Sequence, residues 1–435
     1  MSFKRALGPF DATMIVIGGI IGSGIFINPY LVARALDSTS LVLLAWAAGG
    51  AIALAGAFAY AELGQRLPRA GGQYVYLSEA WHPLVGFLYG WALLFMIETG
   101  AMAAVAITFA QYASRMTGGT GAHPQLIAVA AIVVLSAINY IGVKPGSQVL
   151  NVFVILKVAA IGALIVFAWS GPAAAGWFTA VRVDDTPSTA LTFGVALIPI
   201  LFAYGGWQNA NYVAEEMRDP RRHLPKSLII GTLVVVVVYL LANVAYVRTL
   251  GLEGLAATET PAAEAAGRWF GSAGERLIAG AIAISTFGFL NLAILAPTRV
   301  YFAMARDGAF VPALARLHPR FQTPASAIVL QSAWAIVLTL TGTYGDLLNT
   351  VVFADWIFFG LTVAGLLILR SRQPDTDGFR TPWYPWLPGA FVLVALVVVY
   401  SVVSTDPWRS AAGAALLLLG VPVYYLFRRQ SRHAH

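Results

Sequence analysis

Uncharged apolar stretches long enough to cross a bilayer recur down the whole chain, and no other feature constrains the fold as strongly. Residues 41–61 carry no charge over 21 residues, and 228–247 and 277–297 are similar. A helix needs about 20 such residues to span the hydrocarbon. A soluble domain of 435 residues would need far more surface charge than the 11% of charged residues can supply against 59% apolar ones. The recurrence excludes a soluble domain with one anchor. The longest candidate linkers, about 171–189 and 249–273, leave no room for a separate globular domain. The predicted spans are 10–33, 41–64, 80–112, 124–142, 147–169, 189–213, 225–247, 273–302, 324–342, 347–369, 385–403 and 410–427. The expected fold class is therefore an all-α membrane protein of twelve transmembrane helices, with residues 1–435 forming a single transmembrane domain. The first 30 residues read as an uncleaved first helix: Lys4-Arg5 leads into Gly8-Pro9-Phe10 and an apolar span, with no small-x-small cleavage pattern after it.

Twelve spans put both termini on one side, and the basic residues choose which. With the N-terminus cytoplasmic, 19 of the 27 lysines and arginines fall on inner segments and 7 on outer ones, leaving Lys157 inside a span. The net charge of +7 is spread over short loops rather than gathered on one basic face, so nucleic acid is not an expected partner. Trp383, Tyr384, Trp386 and Trp408 fall near predicted span ends, where an aromatic belt would place them. The absence of cysteine excludes disulfides, thiolate metal sites and cysteine nucleophiles. The six histidines sit in loops, span ends or the tail, and no glycine-rich phosphate loop follows a strand. No metal, cofactor, enzymatic chemistry or ATP-driven pumping is expected.

Span 1 carries four glycines within seven residues, Gly18, Gly19, Gly22 and Gly24, followed by Pro29. Glycine weakens a helix and permits close backbone approach. Two readings compete: tight helix packing through small residues, or an unwound midpoint with free backbone groups. Span 6 favours the second, because Pro199 and Gly205-Gly206 with Gln208 and Asn209 sit inside a would-be span. Interrupted spans at corresponding positions of two halves point to a transport site, and spans 1 and 6 are five apart, as a five-helix repeat requires. Irregular backbone is tolerated at that depth only where it is buried in protein or lines a cavity. The half-helix that starts after Gly22-Ser23-Gly24 would present unpaired N–H groups and a positive dipole end to a carboxylate. Ser23 would add a hydroxyl donor. The half-helices ending near Ile20 and Phe202 would present carbonyls to an ammonium group. A site with both ends has the shape of a free amino acid.

Further motifs accompany the breaks. Gly22-Ser23-Gly24-Ile25-Phe26 is followed by Tyr60-Ala61-Glu62-Leu63-Gly64 and then Pro68-Arg69-Ala70-Gly71-Gly72-Gln73-Tyr74. Phe202-Ala203-Tyr204-Gly205-Gly206-Trp207 leads to Ala214-Glu215-Glu216-Met217, and Arg299-Val300-Tyr301-Phe302-Ala303-Met304-Ala305-Arg306-Asp307-Gly308 follows span 8. In this order and spacing they resemble the L-type amino acid transporter branch of the amino acid–polyamine–organocation superfamily, over nearly the whole chain. The resemblance implies two inverted five-helix repeats, 10–169 and 189–369, two additional helices in 385–427, and alternating access for amino acids. It places the substrate carboxylate at Gly22, Ser23 and Gly24, the amino group at carbonyls of Ile20, Phe202 and Gly205, and a gating ring at Phe202.

Lys157 lies mid-span without a local acidic partner. A charge there is costly and usually faces the bundle interior or a polar path; a snorkelling lysine is the plainer alternative, but its distance from both span ends opposes it. The resemblance puts this lysine where sodium binds in related transporters, in contact with broken span 1, which implies sodium independence and a role in coupling binding to gating. Glu98 in span 3 reads as a buried acid, a proton carrier, part of a polar pair or a local packing feature kept neutral, and it departs from the basic residue of several eukaryotic relatives. Asp355 raises the same question from nearer a helix end. Glu62, Glu215 and Glu216 read as cytoplasmic-end residues paired with Arg66, Arg69 or Arg218. Similar proteins that accept cationic substrates place an acid in the span 6 turn; Gly205-Gly206 here favours a neutral amino acid. Gln208 replaces the asparagine of L-type relatives, keeping the pocket polar but altering its reach.

Three functions follow: sodium-independent transport of neutral L-amino acids, by exchange or facilitated passage; proton-coupled amino acid symport, motivated by Glu98 and Asp355; and a membrane protein that binds without translocating. The expected partners are the amino acid and membrane lipid. Without cysteine, the covalent link to an ancillary glycoprotein that some eukaryotic relatives form is impossible. The sequence leaves the oligomeric state open, with a stand-alone transporter the simpler reading. Short termini and compact loops suggest a prokaryotic cytoplasmic membrane, with both termini inside.

Overall fold

The structure, a computed structural model, describes residues 5, 7–117, 123–141, 147–180, 187–321, 323–374 and 377–433. Of the basic residues that orient the chain, Lys4, Lys144 and Arg182 lie outside them. The described chain is helical, with one isolated parallel bridge between Leu7 and Met217. Span 1 is α1 (Pro9–Ile20) and α2 (Gly24–Ala35), and span 2 is α3 (Thr39–Arg66). A short α4 (Gln73–Ala80) precedes span 3, which is α5 (Pro83–Ala92), a π-helical turn (Leu93–Ile97) and α6 (Glu98–Met116). Then come α7 (Pro124–Ile141), α8 (Ser147–Ser170), and the broken span 6 as α9 (Pro187–Tyr204) and α10 (Asn209–Tyr212). The rest is α11 (Pro220–Ala256), α12 (Pro261–Leu295), α13 (Thr298–Arg306), α14 (Ala325–Thr341), α15 (Tyr344–Arg372), α16 (Trp386–Thr405) and α17 (Pro407–His433).

Among the described residues, ten helices are long and apolar enough to cross a membrane. Two shorter apolar helices, Thr192–Tyr204 and Ala325–Thr341, fall on predicted spans 6 and 9. The chain is thus a multi-pass membrane protein. The expected linker at 249–273 is instead largely helical: α11 runs on to Ala256 past a bend at Gly251 (φ 70°), and α12 starts at Pro261 and bends at Gly271 (φ 61°). Glycine at each bend lets the chain turn in the left-handed region and resume the helix, which a search for uninterrupted apolar runs does not detect. Asp355 also departs from expectation, because it lies well inside α15 rather than near its end.

Burial separates a central group from a periphery. The most apolar windows of Pro9–Ala35 and Pro83–Met116 are 72% and 78% buried, against 28% for Pro124–Ile141 and 22% for Pro407–Arg429. The outer helices α7, α8, α16 and α17 present large exposed apolar side chains such as Leu126, Val166, Leu396 and Leu418, as lipid-facing helices do. Trp383, Trp386 and Trp408 are exposed near helix ends. Around the span 6 break, Trp207 stacks on Phe359 with ring centroids 4.9 Å apart and meets the edge of Tyr60. Such aromatic packing gives an irregular turn a fixed position.

One polar knot ties α3 to α15. Glu62, 1% exposed, accepts from Arg66 at 2.8 Å and from Arg370 through both carboxylate oxygens, at 2.8 and 2.7 Å. The Thr381 N–H donates to the same carboxylate at 2.8 Å, and Gln65 bonds the backbone of Asp377 and Phe379. Arg66 is one of the partners expected from the sequence; Arg370 arrives from 308 residues away. Glu216 pairs with Arg299 at 3.3 Å rather than with Arg218, and Arg69 pairs with Glu79. Breaking a buried pair leaves an uncompensated charge at a cost of about 3–5 kcal/mol. Glu62→Ala is therefore expected to lower the melting temperature of the detergent-solubilised protein markedly, and an unchanged melting temperature would show that the knot contributes nothing to stability.

Candidate substrate site

The first break consists of Ile21, Gly22 and Ser23. Ile21 leaves the helical region (φ −76°, ψ 81°), its N–H still bonded to Ile17 O. Gly22 N–H closes a tight turn on the Ile20 carbonyl at 2.8 Å. The N–H groups of Ser23, Gly24 and Ile25, at the start of α2, find no acceptor among the described residues. Unpaired N–H groups with a positive dipole end make an anion site. Ser23 is 1% exposed, and its hydroxyl makes no hydrogen bond; it lies near the Tyr344 hydroxyl, which donates instead to Asn28 Oδ1 at 2.8 Å.

The second break follows Tyr204. Gly206 has φ 105°, open to glycine, and its N–H donates to Gln208 Oε1 at 3.0 Å. The Gln208 amide thus braces its own turn. Gly205 N–H bonds Phe202 O at 3.1 Å. The two breaks cross in close contact: a Cβ on Gly206 would lie 2.1 Å from the Gly19 carbonyl oxygen, and one on Gly24 would lie 2.5 Å from Ala203 Cα. A Cβ on Gly18 would meet Val154, and one on Gly22 would meet the Phe289 ring. Packing and unwinding, rivals in the sequence, are both present: the same glycines that let the backbones approach also release their polar groups.

Two side chains from elsewhere tie up the carbonyls at the crossing. Tyr239 OH donates to Ile20 O at 3.0 Å and to Ala203 O at 3.3 Å, joining both breaks. Lys157, 3% exposed, donates to Ile21 O at 2.8 Å and Gly18 O at 3.3 Å, with its ammonium 5.8 Å from the Phe289 ring centre. The ammonium therefore sits inside the protein on the broken helix, and a snorkelling role is ruled out. The expectation that Ile20 offers a free carbonyl fails, because Gly22 N–H and Tyr239 OH already use it.

A cavity of about 60 Å³ lies between the breaks. Ile20, Gly22, Ser23, Gly24, Phe202, Gly205, Gln208 and Glu98 all line it, so the residues singled out in the sequence converge, apart from Lys157. Lys157 lines a neighbouring pocket that shares the Phe289 wall. Asp355, Asn209 and Phe289 also line the main cavity. Phe202 is partly buried and meets Tyr344 edge to face at 6.3 Å. Asn28 Nδ2 donates to Pro199 O at 2.5 Å, so Tyr344, Asn28 and Pro199 form a polar chain beside Phe202. Tyr344 and Tyr239 carry no local sequence signal; only their long-range partners give them a role. Among the described residues, no group of three or more His, Cys, Asp or Glu is placed to hold a metal ion.

Residues 7–426 match the family model described as Amino acid permease. The chain is 32% identical over 432 residues to the serine/threonine exchanger SteT of Bacillus subtilis (strain 168), covering 98% of each. It is 32% identical over 449 residues to the large neutral amino acids transporter small subunit 2 of Rattus norvegicus, covering 98% of this chain and 81% of that one. It is 30% identical over 442 residues to the b(0,+)-type amino acid transporter 1 of Mus musculus, with 98% and 88% covered. Two broken spans crossing around a cavity, in a chain matched from end to end, lead to one assignment: the chain belongs to the amino acid permease family, in its L-type branch.

Proposed function

We propose that the protein carries neutral L-amino acids across the cytoplasmic membrane by sodium-independent exchange through alternating access. The observation that carries this reading is the cavity at the crossing of the two breaks, with the free N–H groups of Ser23, Gly24 and Ile25 beside it. The substrate carboxylate takes these donors and the Ser23 hydroxyl. Its ammonium lies against carbonyls of the span 6 break, at Phe202 and Gly205, and Phe202 with Tyr344 covers the site. Twelve spans serve this cycle: inverted repeats 10–169 and 189–369, two further helices in 385–427, and both termini cytoplasmic. Ten apolar helices plus the two shorter ones at spans 6 and 9 support that count. The exchanger named among the relatives supports exchange.

Sodium independence rests on Lys157. A tethered ammonium already bonds the carbonyls of Gly18 and Ile21, so a free cation would have to displace it. Gly205-Gly206 in the span 6 turn provides no carboxylate for a cationic substrate there, which supports a neutral one. Proton-coupled symport is the second reading, favoured by Glu98 and Asp355 on the cavity wall. Purified protein in proteoliposomes separates the two. Exchange requires uptake that depends on internal amino acid and ignores sodium and pH gradients; uptake that needs a pH gradient and ignores internal substrate selects symport.

Two substitutions test the site itself. A hydrogen bond to a charged group contributes about 1.5–3 kcal/mol, so Ser23→Ala should raise KM for uptake by about tenfold or more at normal protein abundance. An unchanged KM would remove the hydroxyl from the carboxylate site. Lys157→Met keeps the apolar stem and leaves the Gly18 and Ile21 carbonyls without their donor. Initial uptake should fall at least tenfold with abundance near wild type, and normal uptake would end the proposed coupling role.

A further inference from the structure

Two carboxyls line the cavity at the breaks, Glu98 and Asp355. In span 3 the π-helical turn Leu93–Ile97 immediately precedes Glu98. The Glu98 N–H reaches back five residues to Leu93 O, and Thr99 Oγ1 takes Leu94 O at 2.8 Å. Such a turn shifts the helix register by one residue, and π-bulges recur at functional sites. Asp355, from α15, lines the same cavity. Glu98 and Asp355 are 7% and 8% exposed.

Neither carboxyl has a cationic partner among the described residues. Asp355 Oδ1 is fully enclosed without a hydrogen-bond donor. The nearby hydroxyls of Tyr89 and Tyr212 bond each other, and the Lys157 ammonium is committed to the Gly18 and Ile21 carbonyls. In the same lining, Ser23 Oγ and Asn209 Oδ1 are also buried without partners. Buried polar atoms without partners cost about 1–3 kcal/mol each. Together these atoms describe a small polar ligand with donors at more than one end.

If the substrate's carboxylate and ammonium dock at the breaks, as proposed above, its side chain faces Glu98 and Asp355. We propose that Glu98 and Asp355 form a side-chain subsite selecting small amino acids whose side chain donates a hydrogen bond. The cavity is small, about 60 Å³, and the same space must also take the substrate's carboxylate, ammonium and Cα, so only a short side chain fits. A hydroxyl, as in serine or threonine, and a short amine, as in 2,3-diaminopropionate, share this donor chemistry. A site built to bond a substrate donor rejects the analogue without it, because its own buried acceptors are left unpaired.

The test is competition for uptake into proteoliposomes by alanine, serine and 2,3-diaminopropionate, with the wild type and with Asp355→Asn and Asp355→Val. In the wild type, serine or diaminopropionate should compete at least tenfold better than alanine. Serine in the lead identifies a hydroxyl substrate and diaminopropionate an amine-bearing one; Asp355→Asn, which keeps an acceptor, should retain the preference. Asp355→Val should bring the serine-to-alanine ratio below threefold. Wild-type protein that takes alanine as well as both donor-bearing analogues overturns the subsite while leaving amino acid transport standing, whereas protein that takes none of the three and no larger neutral amino acid overturns the transport reading itself. The wild-type ratio decides even where a variant fails to fold.

Discussion

The site depends on one backbone-to-backbone contact, between Gly19 of the first broken span and Gly206 of the sixth. Nothing larger than hydrogen fits at either position: a Cβ on Gly19 would lie 2.7 Å from Gly206 O, and the reverse contact would be 2.1 Å. Because the breaks meet here, the end of α9 and the start of α2 face one small space. A second close contact, Gly24 against Ala203, holds α2 to α9 just beyond it. Within a membrane interior each unsatisfied backbone group costs several kcal/mol, so two unwound segments persist only if most of their polar groups are answered locally. Crossing them lets one set of side chains serve both.

The distribution of those partners decides what is left over. Tyr239 covers a carbonyl on each break, Lys157 covers two more on the first, and Gln208 takes the Gly206 N–H. The carbonyl side of span 1 is thereby largely saturated. The donor side, Ser23 to Ile25, is not. Two carboxyls without cations line the same cavity. The cavity thus holds both unpaired backbone donors and unpaired carboxyl groups.

Much of this was legible in the sequence because it is written locally. Uncharged runs of spanning length, glycine clusters and a lone mid-span lysine are visible without any partner, and the cavity lining includes the residues those signals marked. The missing parts involve partners far apart in the chain. Ile20 looked free because nothing near it announces Tyr239, 219 residues away. Arg370 reaches Glu62 across 308 residues, where the local sequence offers the nearer Arg66 and Arg69. The bends at Gly251 and Gly271 were hidden for a different reason: glycine signals both a helix end and a kink, and only tertiary packing chooses between them. The π-helical turn before Glu98 has no composition of its own, since Leu93-Leu94-Phe95-Met96-Ile97 is as apolar as any helical run.

The two halves of span 1 are anchored by partly different hydrogen bonds, while α11 packs against both. Its first half is held by α8 and α11 and by the turn before α11: Asp11 accepts from Asn151 at 2.9 Å, Thr13 bonds Ser227 at 3.3 Å, and the Leu7 backbone pairs with Glu216 and Arg218. Its second half is held by α6, α9 and α15: Phe26 O accepts from Tyr112 at 2.8 Å, and Asn28 links Tyr344 to Pro199. The halves are joined by Ile21, Gly22 and Ser23, which lack the regular helical ladder. Such a segment is free of the ladder that fixes helical dihedrals, as hinge segments are. Lys157 bonds Gly18 on one side of that hinge and Ile21 within it, so its ammonium follows the first half. On the proposed reading, a ligand whose carboxylate binds the start of α2 and whose amine meets the end of α9 would hold the second half, while the crossing at Gly19 keeps it against the first. Its occupancy would then favour some arrangements of the two halves over others, the differential interaction without which a ligand cannot shift a conformational equilibrium.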